Sequence, residues 1–463
     1  MTFGGLKTTS SPLALVAAAG FLMGGLALTP AVAADLGGDC CADLEERVSE
    51  LEATTARKGN CKVSLTISGH VSRVMGWYED EYGDSEWYST GNGTSGSRLQ
   101  FSGTAALTNK WTAGYTIRYR FDNDRDKSAL GRAGTSGGHG RQPSAIDRNF
   151  VFLKNDRLGT FVLGQAAGPT GGIASISLGG HGVVADSDGN DWNGSSINGF
   201  NMEQDISHQA IAWISPTIRG FTFAIAWADL NIGSNSGAFG AGTGSSSAPD
   251  AWDMALRYAQ EFGPIRVAAG IGYTVADDNN VTGGLKLGSN LMGSVALMHT
   301  PTGLNVSFAA GTEIDGGLPA GTTANGRLGN SGTRAYSQFG QNANDAQFWY
   351  VSGGINRDFT GHGNTSFYGE YGYYDYNSTN TATGCVDSFT FATPCIGLVD
   401  DTVEMWGLGV VQHFDKAATE LFIAYRHWDQ TVDNSAGGGA AGTKQANTDG
   451  DVDQLRMGMR IKF

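Results

Sequence analysis

The links between strands constrain this chain more than any single strand does. From Val63 onward, apolar and polar residues alternate with period two, the pattern of strands with one wet and one apolar face. Sixteen runs are read, near 62–78, 97–107, 110–122, 146–154, 158–165, 207–215, 220–230, 251–261, 264–276, 287–299, 303–312, 346–358, 363–376, 402–414, 417–429 and 451–463. Short links join them at 108–109, 155–157, 216–219, 262–263, 300–302, 360–362 and 415–416. Long links fall between these, at 79–96, 123–145, 166–206, 231–250, 277–286, 313–345, 377–401 and 430–450. A sandwich in water has no reason to hold every long loop at one end. A membrane barrel does, with short turns at one rim, long loops at the other and an even strand count. The expected fold is therefore all-β: a 16-stranded antiparallel transmembrane β-barrel over residues 62–463.

Strand faces and cost arguments agree. Trp111, Ala113, Tyr115, Ile117, Tyr119 and Phe121 oppose Thr112, Gly114, Thr116, Arg118, Arg120 and Asp122. Likewise Leu455, Met457, Met459, Ile461 and Phe463 oppose Gln454, Arg456, Gly458, Arg460 and Lys462. Unsatisfied backbone groups cost several kcal/mol each in hydrocarbon, so strands there must close into a ring. About sixteen strands leave an aqueous lumen, which suits inward Arg, Thr, Ser and Gln. The last strand is expected to close the ring against the first, Val63 to Val71.

Composition narrows the partners. The net charge is −15 with no Lys/Arg-rich patch, which argues against nucleic acid. After Lys7 comes an uncharged apolar stretch, then Pro30 and the small-x-small triplet Ala31-Val32-Ala33, so residues 1–33 are expected to be a signal peptide. The protein is thus expected to be exported, with outer-membrane lipid and lipopolysaccharide around it. Residues 34–61 form a separate expected segment holding a short N-terminal helix before the barrel. There Leu44, Val48, Leu51 and Thr55 repeat at 4-3-4 over 43–58, which fits either an oligomer-forming coiled coil or a helix packed on the barrel. Five cysteines suit an oxidising compartment: Cys385 and Cys395 are a disulfide candidate in one polar stretch, and Cys40, Cys41 and Cys61 leave an odd thiol.

The third long link, 166–206, carries Asp186, Asp188, Asp191, Glu203 and Asp205 without Lys or Arg. Neighbouring strands carry Arg98, Arg118, Arg120 and, farther on, Arg266. An acidic loop folded into the lumen opposite an arginine row would set a transverse field that sorts ions and solutes. A solvated outer loop fits the periodicity equally well. The run from Asp186 to Asp191 lacks the alternating ligands and distal Glu of a calcium loop, and the eight histidines have no metal-ligand spacing. No metal or cofactor is expected. No P-loop is present, and no Ser/His/acid grouping can be picked out.

Several of these residues carry a family resemblance. Arg148-Asn149-Phe150-Val151-Phe152-Leu153-Lys154, followed by Leu158-Gly159-Thr160-Phe161-Val162-Leu163-Gly164-Gln165, resembles the strand-turn-strand signature of general bacterial porins. Ala34-Asp35-Leu36, Cys41 to Arg47 and Lys62 to Gly69 are similar to the alphaproteobacterial porin family, and Met459 to Phe463 resembles the terminal-aromatic strand read during barrel assembly. The resemblance implies a homotrimeric passive channel for small hydrophilic solutes and ions, not an enzyme. It also implies that the third loop narrows each pore and that Arg148 joins the basic wall. Phe152 stands where that family usually has Gly, and Gln165 is the uncharged option at its position, so local basic charge is lower. Facing is open at two places: Phe150/Phe152 and Val151/Leu153 compete for the lipid side, and Arg73 shares parity with apolar Val63 to Val71. A channel specific for sugars or anions, a barrel enzyme and a Gly/Asn/Thr-rich adhesin are the competing functions. The sign of ion selectivity stays open, because the excess acids could lie in the outer loops.

Overall fold

The computed structural model describes residues 63–80, 85–121, 145–187, 209–229, 250–278, 285–314, 345–380, 397–434 and 450–463. The first half of the wall is β1 (Thr66–Asp80), β2 (Ser85–Gly91), β3 (Arg98–Ala106), β4 (Trp111–Arg120), β5 (Ala145–Asn155), β6 (Gly159–Gln165), β7 (Gln209–Ile214) and β8 (Phe221–Asp229). The second half is β9 (Asp250–Phe262), β10 (Ile265–Asp278), β11 (Leu285–His299), β12 (Leu304–Ile314), β13 (Asp345–Arg357), β14 (Thr365–Asn380), β15 (Gly397–Phe414), β16 (Thr419–Asn434) and β17 (Gly450–Lys462).

From β3 to β17 each strand pairs antiparallel with its sequence neighbour, and β17 returns to β1 from His70↔Lys462 to Asp80↔Val452, so the sheet closes. Residues 85–91 pair with 73–79 of β1, and residues 98–102 pair with 66–70 of the same strand. Segments β2 and β3 are therefore two halves of one barrel strand, and the barrel has sixteen strands. This corrects the long link expected at 79–96, of which Ser85–Gly91 is wall. The strand was hidden because Asn92-Gly93-Thr94-Ser95-Gly96-Ser97 follows it, a run of turn formers that reads as loop.

Period two sorts the faces. Val151, Leu163 and Ile211 point outward at 53%, 59% and 59% exposure, members of an apolar belt around the wall that would be costly in water. Both open parities are resolved. Arg73 lies on the outer face, between Val71 and Met75 and opposite Met459. Arg148 points inward with buried Phe150 and Phe152, while Val151 and Leu153 face out. The register shifts here: Arg118 opposes Arg148 but Tyr119 opposes Ile146, which makes Asp147 a bulge residue.

The link after β6 folds into the barrel over its described part, 166–187. Thr170 N–H and Oγ1 donate to the Asp253 carboxylate on β9, and Arg257 donates to the Gly171 carbonyl. Ser294 on β11 donates to the Ile173 carbonyl, and Ser366 on β14 donates to Gly179 O at 2.5 Å. Tyr374 Oη reaches Ser187 O at 2.9 Å, and Arg426 on β16 reaches Asp186 O at 3.1 Å. Apolar packing adds to these bonds: Ile173, Val183, Val184 and Ala185 share one cluster with Met292, Phe348, Tyr350, Tyr374 and Trp428. The inward face of β9–β17 is thus partly apolar, beside the inward Arg, Thr, Ser and Gln that an aqueous lumen suits. The apolar part has a simple cause: the loop, not water, covers that half.

Candidate functional site

With the loop held on β9–β16, the inward face of β3–β5 is the opposite wall. Inward parity and register bring Arg98 opposite Arg120, Gln100 opposite Arg118 and Arg118 opposite Arg148. Arg118 Nε donates to both Asp147 oxygens at 2.8 and 3.0 Å, a bidentate pair with the arginine 5% exposed. Arg120 Nε lies 3.9 Å from the same carboxylate and is half-buried. Arg98 has Arg118, Arg460 and Arg120 as repelling neighbours and Asp147 as its attracting one.

The remaining predicted basic residue lies elsewhere. Arg266 sits at the short-turn end of β10 and pairs with Glu261 across the hairpin at 2.7 Å, with both side chains 42% exposed. Of the acidic loop residues, Asp186 is half-buried with its carbonyl on Arg426, whereas Asp188, Asp191, Glu203 and Asp205 lie outside the described residues. So do Cys385, Cys395 and residues 1–62, including the expected signal peptide and helix.

Two groups of residues were not assigned to the site from sequence. Segment 92–97 bends inward and carries Asn92, whose Nδ2 donates to Val183 O at 2.8 Å and whose Oδ1 accepts from Arg456 at 2.9 Å. Ser95 Oγ accepts from Arg460 at 2.6 Å, extending the basic wall to β17. Parity alone placed Arg456 and Arg460 inward; only the register shows how near Arg460 comes to Arg98. The second group is the fully buried pair Arg426–Glu370, 2.7 Å apart, with Tyr350 Oη also donating to Glu370 at 2.7 Å. It lies behind the loop and ties the loop to the wall. His181 sits in the same seam, its Nε2 3.2 Å from Ser177 Oγ and 3.1 Å from Ser352 Oγ. At 1% exposure this Ser–His contact is shut off from any solute.

Among solved structures, the chain is similar to the outer membrane channel DcaP of Acinetobacter baumannii, with 10% identity and a TM-score of 0.50 over 88% of this chain and 99% of that one. It is also similar to an anion-selective porin from Comamonas acidovorans, with 15% identity and a TM-score of 0.48 over 87% of this chain and 100% of that one. No curated protein matches it. At these identities the structural likeness speaks for the fold alone. The Gram-negative porin family, however, matches residues 14–380, well over half of the sequence, and the chain belongs to that family, an outer-membrane diffusion channel.

Proposed function

We propose that this porin passes small hydrophilic solutes with a preference for anions, through a narrow point between the docked loop and the arginine wall. The observation that carries this reading is the charge of that wall. Arg98, Arg118, Arg120 and Arg148 face inward there, against the single described carboxylate of Asp147 on the same strands. These four guanidiniums outnumber that carboxylate among the described residues of β3–β5, so the field of this wall attracts anions. Potential measurements in planar bilayers across a KCl gradient test this. The expected reversal potential has the sign of chloride preference, and Arg98→Gln with Arg120→Gln shifts the permeability ratio toward potassium by about threefold. An unchanged ratio would remove these arginines from the narrow point. Arg118 is the poorer choice for such a test, because its loss strands Asp147.

The homotrimer implied by the resemblance is part of the proposal. β6 has seven residues, short of the roughly 9–11 that cross a bilayer at a tilt. An outward arginine such as Arg73 costs about 2–4 kcal/mol against lipid at the bilayer midplane. A second subunit covering these low or charged parts of the wall relieves both. The alphaproteobacterial branch, the signal peptide at 1–33 and the absence of enzymatic activity belong to the same reading. The branch is supported by the motifs at 34–36, 41–47 and 62–69, the signal peptide by the apolar stretch before Ala31-Val32-Ala33, and the channel role by the fold.

A further inference from the structure

A water-filled lumen calls for polar walls, yet one patch beside the arginine row is apolar. Inward Phe150 on β5 and Val162 on β6 pack together with Ala212 and Ile214 on β7, and the start of the loop, Ala166 to Pro169, forms a rim over them. The register sets Thr116 opposite Phe150, Phe152 opposite Val162, Val162 opposite Ala212 and Thr160 opposite Ile214. The result is a recess in the wall. Its lining is mostly aliphatic and aromatic, and Gln100, Thr116 and Arg148 complete it.

From this, and resting on the channel reading above, we infer that the recess is a subsite for amphipathic organic monoanions: its apolar lining takes a solute's apolar end while Arg148 holds the carboxylate. An inorganic ion gains nothing from Phe150, Val162 and Ile214, since it has no surface to bury. A neutral ring gains nothing from Arg148. A carboxylate on a short alkyl or aryl group gains from both at once, the pairing of apolar lining and a few placed polar groups that small-molecule sites use. The position makes such a site useful. It lies beside the arginine row, so an anion drawn there by charge can dwell one strand away before it moves on.

Three probes applied to the full-length purified protein in planar bilayers test the subsite: benzoate, acetate and benzyl alcohol. Benzoate is expected to reduce the KCl current saturably, at concentrations at least about fivefold below those at which acetate does so. Benzyl alcohol is expected to leave the current untouched. Val162→Thr and Ile214→Thr, each nearly isosteric or smaller, should bring benzoate down to the level of acetate. Arg148→Gln should bring it down to the level of benzyl alcohol. Equal block by benzoate and acetate in open channels overturns the subsite and leaves the channel reading standing. So does a benzoate preference that survives both threonine variants. Absence of any KCl conductance overturns the channel reading, and the subsite falls with it.

Discussion

His181 shows how one residue can tie the loop's position to pH. Its ring stacks on Tyr368 with centroids 4.7 Å apart, and its Nε2 lies between two serine hydroxyls. Burial above all pushes its pKa from 6.5 down to about 4, opposed in part by the Glu370 charge and a backbone hydrogen bond at Gly179, with a lesser lowering from Arg426. A histidine depressed in the docked state stays neutral there, so its contribution is whole above about 6.5 and is lost as pH falls toward about 4. Across that window the loss is about 3 kcal/mol, borne by docking of the loop more than by the barrel. Open-channel noise should therefore grow as pH drops from 6.5 to 4, and His181→Asn should abolish the acid-dependent part. Equal noise in both proteins would free His181 of this role. Other residues show what period two can and cannot tell. It gave the face of Arg118, Arg456 and Arg460 correctly. It did not give height along the strand, so Arg266 was grouped with arginines from which the register separates it. Nor could it settle Arg148, because Phe150 and Phe152 on its own face are as apolar as Val151 and Leu153 on the other.

At the scale of elements, the inward segment 92–97 acts as a latch on the docked loop. Asn92 holds the loop through Val183 O, bonds Ser72 Oγ at 3.1 Å and accepts from Arg456, itself 2% exposed. Asn92→Ala removes all three contacts and deprives a buried guanidinium of one acceptor, at a cost of about 1–3 kcal/mol. The expected outcome is a wider or noisier pore with little change in the barrel's thermal stability. Single-channel conductance beside a thermal melt in detergent checks this, and a variant with parental conductance and noise would show that Asn92 does not hold the loop. The latch was illegible because composition describes propensity, not destination. Asn, Gly, Thr and Ser mark a turn equally well whether it bends into solvent or into a lumen. The long link after β6 was more legible, since its acidic composition suggested a functional loop. Its docking depends on inward Met292, Phe348 and Trp428 on distant strands, which no local pattern connects to Ile173 or Val184.

For the whole molecule, closure depends on where β1, β3 and β17 meet. Gly69 pairs with Leu99 of β3 on one side, and on the other its N–H donates to Phe463 O at 2.9 Å while Phe463 N–H donates back to Gly69 O at 3.0 Å. The ring of Phe463 lies over the space the glycine leaves, an arrangement that lets an aromatic cover a strand glycine. A Cβ on Gly69 would stand 2.3 Å from the Arg98 carbonyl oxygen and 2.9 Å from that ring. The carbonyl belongs to the backbone and cannot swing aside, so the strands themselves must move apart. Gly69→Ala should cost about 1–3 kcal/mol through this overpacking, and Gly69→Val more. Because a barrel has no edge to absorb the displacement, the cost falls on ring closure and therefore on every strand at once. The natural control is Gly91→Ala on β2, where an added Cβ meets nothing within 4 Å. Heat-modifiable migration in detergent separates the cases. Gly91→Ala should keep the folded band of the parent, Gly69→Ala should lose it at a lower temperature, and Gly69→Val should accumulate as unfolded chain. If Gly69→Val migrates and melts like the parent, the seam between the first and last strands is looser than these distances require, and closure must be secured by the longer β1–β17 register above it.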